Sequence, residues 1–86
     1  MIIETTTEVQ NLQLRELTGQ EIYTPVNMCF NLKDVVAIRE SLKDNDFEVE
    51  PSRCFIYMKS GEYFIINTPY KTLLELYDEN RTKYNI

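Results

Sequence analysis

The stretch Cys54–Asn80, CFIYMKSGEYFIINTPYKTLLELYDEN, constrains this chain most, because it holds the densest apolar content and reads as two strands, a tight turn and a closing helix. Glycine reaches positive φ without a Cβ clash, so a two-residue hairpin turn is expected at Ser60-Gly61, flanked by Lys59 and Glu62. That turn sets the pairs Met58–Tyr63, Tyr57–Phe64, Ile56–Ile65, Phe55–Ile66 and Cys54–Asn67. Side chains alternate across a strand, so Met58, Tyr63, Ile56 and Ile65 would share one face, and Tyr57, Phe64, Phe55 and Ile66 the other. Both faces are apolar, whereas a sheet with one wet side alternates apolar with polar.

Thr68-Pro69 closes the second strand and opens a helix, with Thr as N-cap and Pro at the first helical position. Tyr70, Leu73, Leu74 and Tyr77 then form one apolar stripe at helical spacing, which Leu76 widens. One helix covers one face of the hairpin. The second face needs another cover.

With 86 residues the chain has room for one domain, and a chain of that size buries roughly 60–65% of its unfolded surface. The first ten residues, Met1 to Gln10, rich in Thr and Glu, read as a flexible segment, and 11–86 as a single small domain. Hydrophobic content of 43% excludes a disordered chain. A net charge of −5 argues against nucleic-acid binding, which needs a basic patch, and fits a solvated acidic surface. Met1-Ile2-Ile3-Glu4 lacks the basic start of a signal peptide, and no apolar run approaches the ~18 residues of a membrane span. The expectation is a cytoplasmic protein with no membrane partner. Cys29 and Cys54 stand outside any C-x-x-C pattern and are expected to be buried as small apolar groups. A disulfide between them requires Cα atoms within ~7 Å.

From Asn11 onward a first hairpin is expected, with Leu12, Leu14 and Leu17 leading into a turn at Thr18-Gly19-Gln20 and Glu21–Thr24 leading out. It would extend the sheet edgewise. Pro25 confines its strand to an edge or kinks it, and Val26, Met28 and Phe30 resume the alternation. Asn31–Asp34 reads as a turn or a single helical turn. Val35–Leu42 fits either a strand or a helix, and its β-branched content favours the strand. Lys43–Ser52 reads as an acidic surface loop closed by Pro51.

Histidine is absent, which removes the Ser-His and Cys-His nucleophile arrangements and the commonest metal ligand. Two cysteines are too few for a structural zinc site, and the two glycines, both in turns, make no phosphate cradle. An EF-hand loop starting at Asp44 would need Gly and Glu where Val49 and Phe55 stand. A weak divalent-ion site from Asp44, Asp46 and Glu48 stays open. Nothing sets two acids on an apolar cleft wall. The expectation is therefore a protein that is not an enzyme and carries no cofactor and no metal.

Phe55, Tyr57 and Phe64 admit three readings: core, homo-oligomer interface, or a platform on which a ring stacks. Arg39 and Arg53 are the cations expected beside that surface, and their ordinary role is cross-strand pairing with acids. Leu17-Thr18-Gly19, Asn31-Leu32, Ile38, Lys59-Ser60-Gly61 and the strand into Thr68-Pro69 together resemble the layout of the FlbD-like small proteins, over Leu14 to Tyr77. The resemblance implies short strands with an early L-x-G turn, a later x-G hairpin and a closing helix. Members of that family are linked to flagellar gene clusters, and it offers no catalytic residue to carry over. The acidic loop Lys43–Ser52 and Pro69 depart from its pattern. Small phage-encoded and gut-bacterial proteins share the layout.

The fold expected is α+β: a small antiparallel β-meander of about four or five strands with one C-terminal helix packed on one face. The function expected is a non-enzymatic interaction module that self-associates, most simply as a dimer, through Phe55, Tyr57, Phe64 and Ile66. The alternative is a phage or bacterial accessory protein that inhibits a host enzyme or binds a small anionic ligand such as a nucleotide, held by Arg39, Arg53 and Tyr57.

Overall fold

The turn at Gly61 forms with a longer loop than two residues, and this resets the faces of the hairpin. In the computed structural model, which describes residues 1–44 and 47–84, Gly61 has φ of 91°. Its N–H donates to the Met58 carbonyl at 3.0 Å, and the Met58 N–H donates to the Glu62 carbonyl at 2.9 Å. A tight turn ending in a left-handed glycine adds one residue to the loop. The flanking strands, β4 (Val49–Met58) and β5 (Tyr63–Ile66), therefore pair as Tyr57 with Tyr63, Ile56 with Phe64, Phe55 with Ile65 and Cys54 with Ile66. This corrects the expected register by one position, and a slip of one residue exchanges faces. Cys54, Ile56, Phe64 and Ile66 point to the core side, and Phe55, Tyr57, Tyr63 and Ile65 to the other.

The N-terminal residues are also corrected. Met1–Gln10 is not a loose end, because Ile2–Gln10 forms β1, and this strand lies inside the sheet between β5 and β2 (Tyr23–Asn31). With β3 (Val35–Leu42) the antiparallel order is β2-β1-β5-β4-β3, so only β3-β4-β5 follows the expected meander. Val35–Leu42 is a strand. β1 and β2 pair from Ile2 opposite Asn31 to Gln10 opposite Tyr23, and Pro25 sits on the edge strand, where its missing N–H removes no bond to a further neighbour.

The expected first hairpin at Leu12–Thr24 is replaced by α1 (Leu12–Thr18), which sits in the β1–β2 connection. Asn11 caps it by accepting from the Leu14 N–H at 3.1 Å. Gly19, at φ 72°, ends it, donating its N–H to the Arg15 carbonyl at 2.8 Å. Pro51 and Ser52, expected in the loop, belong to β4, where the register shifts between Glu40 opposite Cys54 and Ser41 opposite Glu50. A bulge there tolerates the proline.

The outermost strands β2 and β3 are joined by a single 3-10 turn, Leu32–Asp34. In a flat five-stranded sheet those edges would stand ~19 Å apart, four spacings of ~4.8 Å. The four Cα steps from Asn31 to Val35 reach at most ~15 Å. The sheet is therefore curled. Backbone bonds hold the turn on both sides: the Leu32 N–H donates to Met1 at 2.9 Å, and the Lys59 N–H donates to Asp34 at 2.8 Å.

The core lies inside this curl. Ile3, Phe30, Leu32, Val35, Cys54, Ile56 and Ile66 are buried, and Leu73 of α2 (Tyr70–Tyr84) joins them. Tyr70, Leu76 and Tyr77 lie against the cluster, whereas Leu74, expected in the helix stripe, is exposed. The outer half of β1–β2, with α1, extends past this core. The chain measures 49 × 26 × 20 Å with a radius of gyration of 14.6 Å, against about 12 Å for a compact domain of this length. No described helix is long and apolar enough to cross a membrane.

The corrected register separates two isoleucines that a two-residue turn would place together. Ile56→Ala is expected to cost about 2–5 kcal/mol, as for a buried truncation that leaves a cavity. Ile65→Ala, at a surface position, should cost roughly 1 kcal/mol or less. Urea denaturation of the two variants measures the contrast, and equal losses would contradict the pairing.

Candidate functional site

The side of the sheet opposite the core carries an aromatic cluster. Phe55 and Tyr57 are stacked, with ring centroids 6.3 Å apart and planes 18° apart. Tyr63 sits 6.2 Å from each of them. Strand alternation puts Phe55 and Tyr57 side by side on β4, and the longer Gly61 loop brings in Tyr63 from β5. The four residues expected to make an interface do not share this surface. Ile66 is fully buried in the core, and Phe64 packs against the core, while Tyr63 and Ile65 occupy the places expected for them. The signal that could have revealed this is the position of Gly61, which is as compatible with a left-handed third loop residue as with a two-residue turn.

Arg39 stands directly opposite Phe55 across β3 and β4. Its guanidinium carbon lies 4.2 Å from the Phe55 ring centroid, and its Nε donates to the Tyr57 hydroxyl at 3.3 Å. Such a cation over an aromatic face gains ~0.5–1 kcal/mol at an exposed site. The guanidinium is thereby held over the ring, with a further N–H donating to the Glu40 carbonyl at 3.4 Å.

These residues border a cleft of about 880 Å³ on the side of the sheet opposite the core, lined also by Ile65 of the central strand β5. One wall, from β1, β2 and the segment before it, presents Glu8, Glu21 and Tyr23. The other, from β3, β4 and their loop, presents Arg39, Lys43, Arg53 and Phe55. Two of these cations have acidic partners on their own side: Lys43 meets Glu48 at 3.0 Å and Arg53 meets Asp44 at 3.6 Å. Among the described residues, no carboxylate lies within ion-pair distance of Arg39, and no cation lies within that distance of Glu21. The Nε of Arg53 is buried without a hydrogen-bond partner among the described residues. The structure thus brings Arg39, Arg53 and Phe55 to one cleft, with Tyr57 bonded to Arg39 at its margin. Glu8 was missed because nothing in the spacing tells that β1 enters the sheet, and Glu21 and Tyr23 because β2 and the segment before it reach the cleft only through the pairing of β2 with β1.

At the lower end of β4, Glu50 accepts from the Ser52 hydroxyl at 2.7 Å and from the Ser52 N–H at 3.1 Å. These two bonds hold its carboxyl below the usual glutamate range. Their contribution is present above the ordinary glutamate pKa and is lost as the pH falls through the lowered value. The proposed ion site at Asp44, Asp46 and Glu48 includes Asp46, which lies outside the described residues. Among the described residues, no group of three or more metal-ligating side chains comes together.

The cysteines differ from each other, which corrects the expectation that both are buried. Cys54 is fully buried in the core and its thiol is pushed up to about 11 by burial, while Cys29 is exposed on β2 and both are free. No protein-family model, curated protein or solved structure matches this chain.

Two measurements follow from this geometry. A thiol reagent should label the native protein once, at Cys29, and twice after denaturation, because the thiolate is the reactive form and Cys54 is sealed in the core. In an NMR titration, Ser52→Ala should raise the Glu50 carboxyl back toward the ordinary glutamate value.

Proposed function

We propose that this chain is a non-enzymatic interaction module that self-associates through the sheet surface opposite its core, centred on Phe55, Tyr57, Tyr63 and Ile65. The observation that carries the reading is the aromatic cluster itself. Three rings at mutual distances of 6.2–6.3 Å stand on the side of the sheet opposite the buried core, with Tyr63 at 64% exposure. Contiguous apolar surface of this kind is uncommon on a monomer and typical of an interface core, where aromatic residues and arginine are enriched. The module works in the cytoplasm in this reading, where an exposed thiol such as Cys29 stays reduced.

A second reading, binding of a small anionic ligand such as a nucleotide, is favoured by one specific observation. Arg39 lies over Phe55 without a carboxylate partner among the described residues, in a cleft whose size falls within the usual range of ligand sites. An anion there would meet Arg39 and the buried Nε of Arg53 while its ring stacks on the aromatic cluster. The acids on the opposite wall oppose such a ligand, which is why self-association comes first. The FlbD-like resemblance supports a small strand-rich module and adds no chemistry to either reading.

Light scattering at micromolar concentration distinguishes the two. The wild-type protein is expected to be a dimer and Tyr57→Glu a monomer with its fold intact by circular dichroism. A wild type that is monomeric throughout, yet gains several degrees of melting temperature with a nucleotide, would replace the first reading by the second.

A further inference from the structure

The face opposite the core is divided by charge along its central strand. Sheet order places β1 and β2, with Glu8 and Glu21, on one side of β5, and β3 and β4, with Arg39 and Arg53, on the other. Opposite charges usually meet within a chain when they can. Here each wall stays separate: the cleft's recorded ion pairs, Lys43–Glu48 and Arg53–Asp44, both remain on the basic side. Glu21 and Arg39 line the same cleft, both exposed and neither with an opposite charge in reach among the described residues. A surface with its two signs on opposite halves is complementary to itself under a two-fold rotation.

We infer that the occupant of this cleft is a second copy of the chain, related by a two-fold axis running along β5, so that Glu21 of each copy pairs with Arg39 of the other. This rests on the self-association proposed above and adds its geometry. An axis along the central strand carries the acidic half of one copy onto the basic half of its partner, and does so twice. Tyr23, Phe55 and Ile65 of both copies then fill the space between the facing sheets. Two pairings result, each with an arginine already held by the Phe55 ring and the Tyr57 hydroxyl, so little side-chain freedom is lost when the carboxylate arrives. A two-fold axis running across the strands would instead set acidic half against acidic half and basic half against basic half.

Charge exchange in trans tests the geometry. Glu21→Arg alone and Arg39→Glu alone each set like charges against each other at both pairings, and both should be monomers by light scattering at a concentration where the wild type is a dimer. An equimolar mixture of the two variants restores both pairings, and should return to the dimer mass. As a measurement independent of charge, Glu21→Cys mixed with Arg39→Cys, each in a Cys29→Ser background, should give a disulfide-linked heterodimer under mild oxidation. If the wild type is monomeric at every concentration, self-association itself fails and this geometry with it. If the wild type is a dimer but the single variants stay dimeric, or their mixture stays monomeric, or no crosslink forms, the pairing is overturned while self-association stands.

Discussion

The short link between β2 and β3 governs this fold. Leu32–Asp34 must join strands at the two edges of a five-stranded sheet, and the distance can be spanned only if the sheet curls. Curling gives an 86-residue chain a buried interior from one sheet and one helix. It places Leu32 and Val35, the residues at either end of the link, at 0% and 2% exposure. The same curvature turns the opposite side of the sheet outward. The core and the outer face are two sides of a single geometric requirement, and the aromatic cluster falls on the outer face because of where the Gly61 loop sets the register.

The parts of this fold that were legible in the sequence are those determined by local chemistry. The C-terminal helix after Pro69, the edge position of Pro25, the helical turn at Asn31–Asp34 and the strand at Val35–Leu42 all follow from backbone preference within a few residues. The helix α1 was legible in principle, since Asn11 and Gly19 are the residues that cap a short helix at its two ends. It was obscured by Leu12, Leu14 and Leu17, whose spacing also suits a strand. What could not be read is long-range. The sequence Ile3-Glu4-Thr5-Thr6-Thr7-Glu8 offers few apolar positions, and its place beside β5 depends on polar contacts made across the chain.

Those contacts show how a polar strand is accommodated inside a sheet. Asn67 donates its N–H to the Thr6 carbonyl and its side-chain amide to the Thr6 hydroxyl, both at 2.8 Å. Thr7 donates to the Ile65 carbonyl, and the hydroxyl oxygens of Thr5 and Thr68 lie 2.6 Å apart. A threonine run that looked like a solvated tail is thus a set of hydrogen-bonding groups for one seam. The candidate site was partly legible for the same reason. Arg39, Phe55, Tyr57 and Arg53 lie on neighbouring strands of a hairpin that pattern alone could identify, whereas the acidic wall arrives with β1.

The position of β1 also bears on how the chain reaches this structure. Thr5 and Thr68 are 63 residues apart in sequence, and β1 touches β5 through one short seam. The β1–β2 and β3–β4–β5 units are each closed by local connections, but their joining requires nearly the whole chain. Local turns close quickly and distant pairings pay a larger loop-closure entropy. A chain still emerging from the ribosome can pair β1 with β2, and β3 with β4, yet lacks the seam that unites them until β5 has been made. The cleft, whose walls belong to one unit each, comes into existence only with that final step.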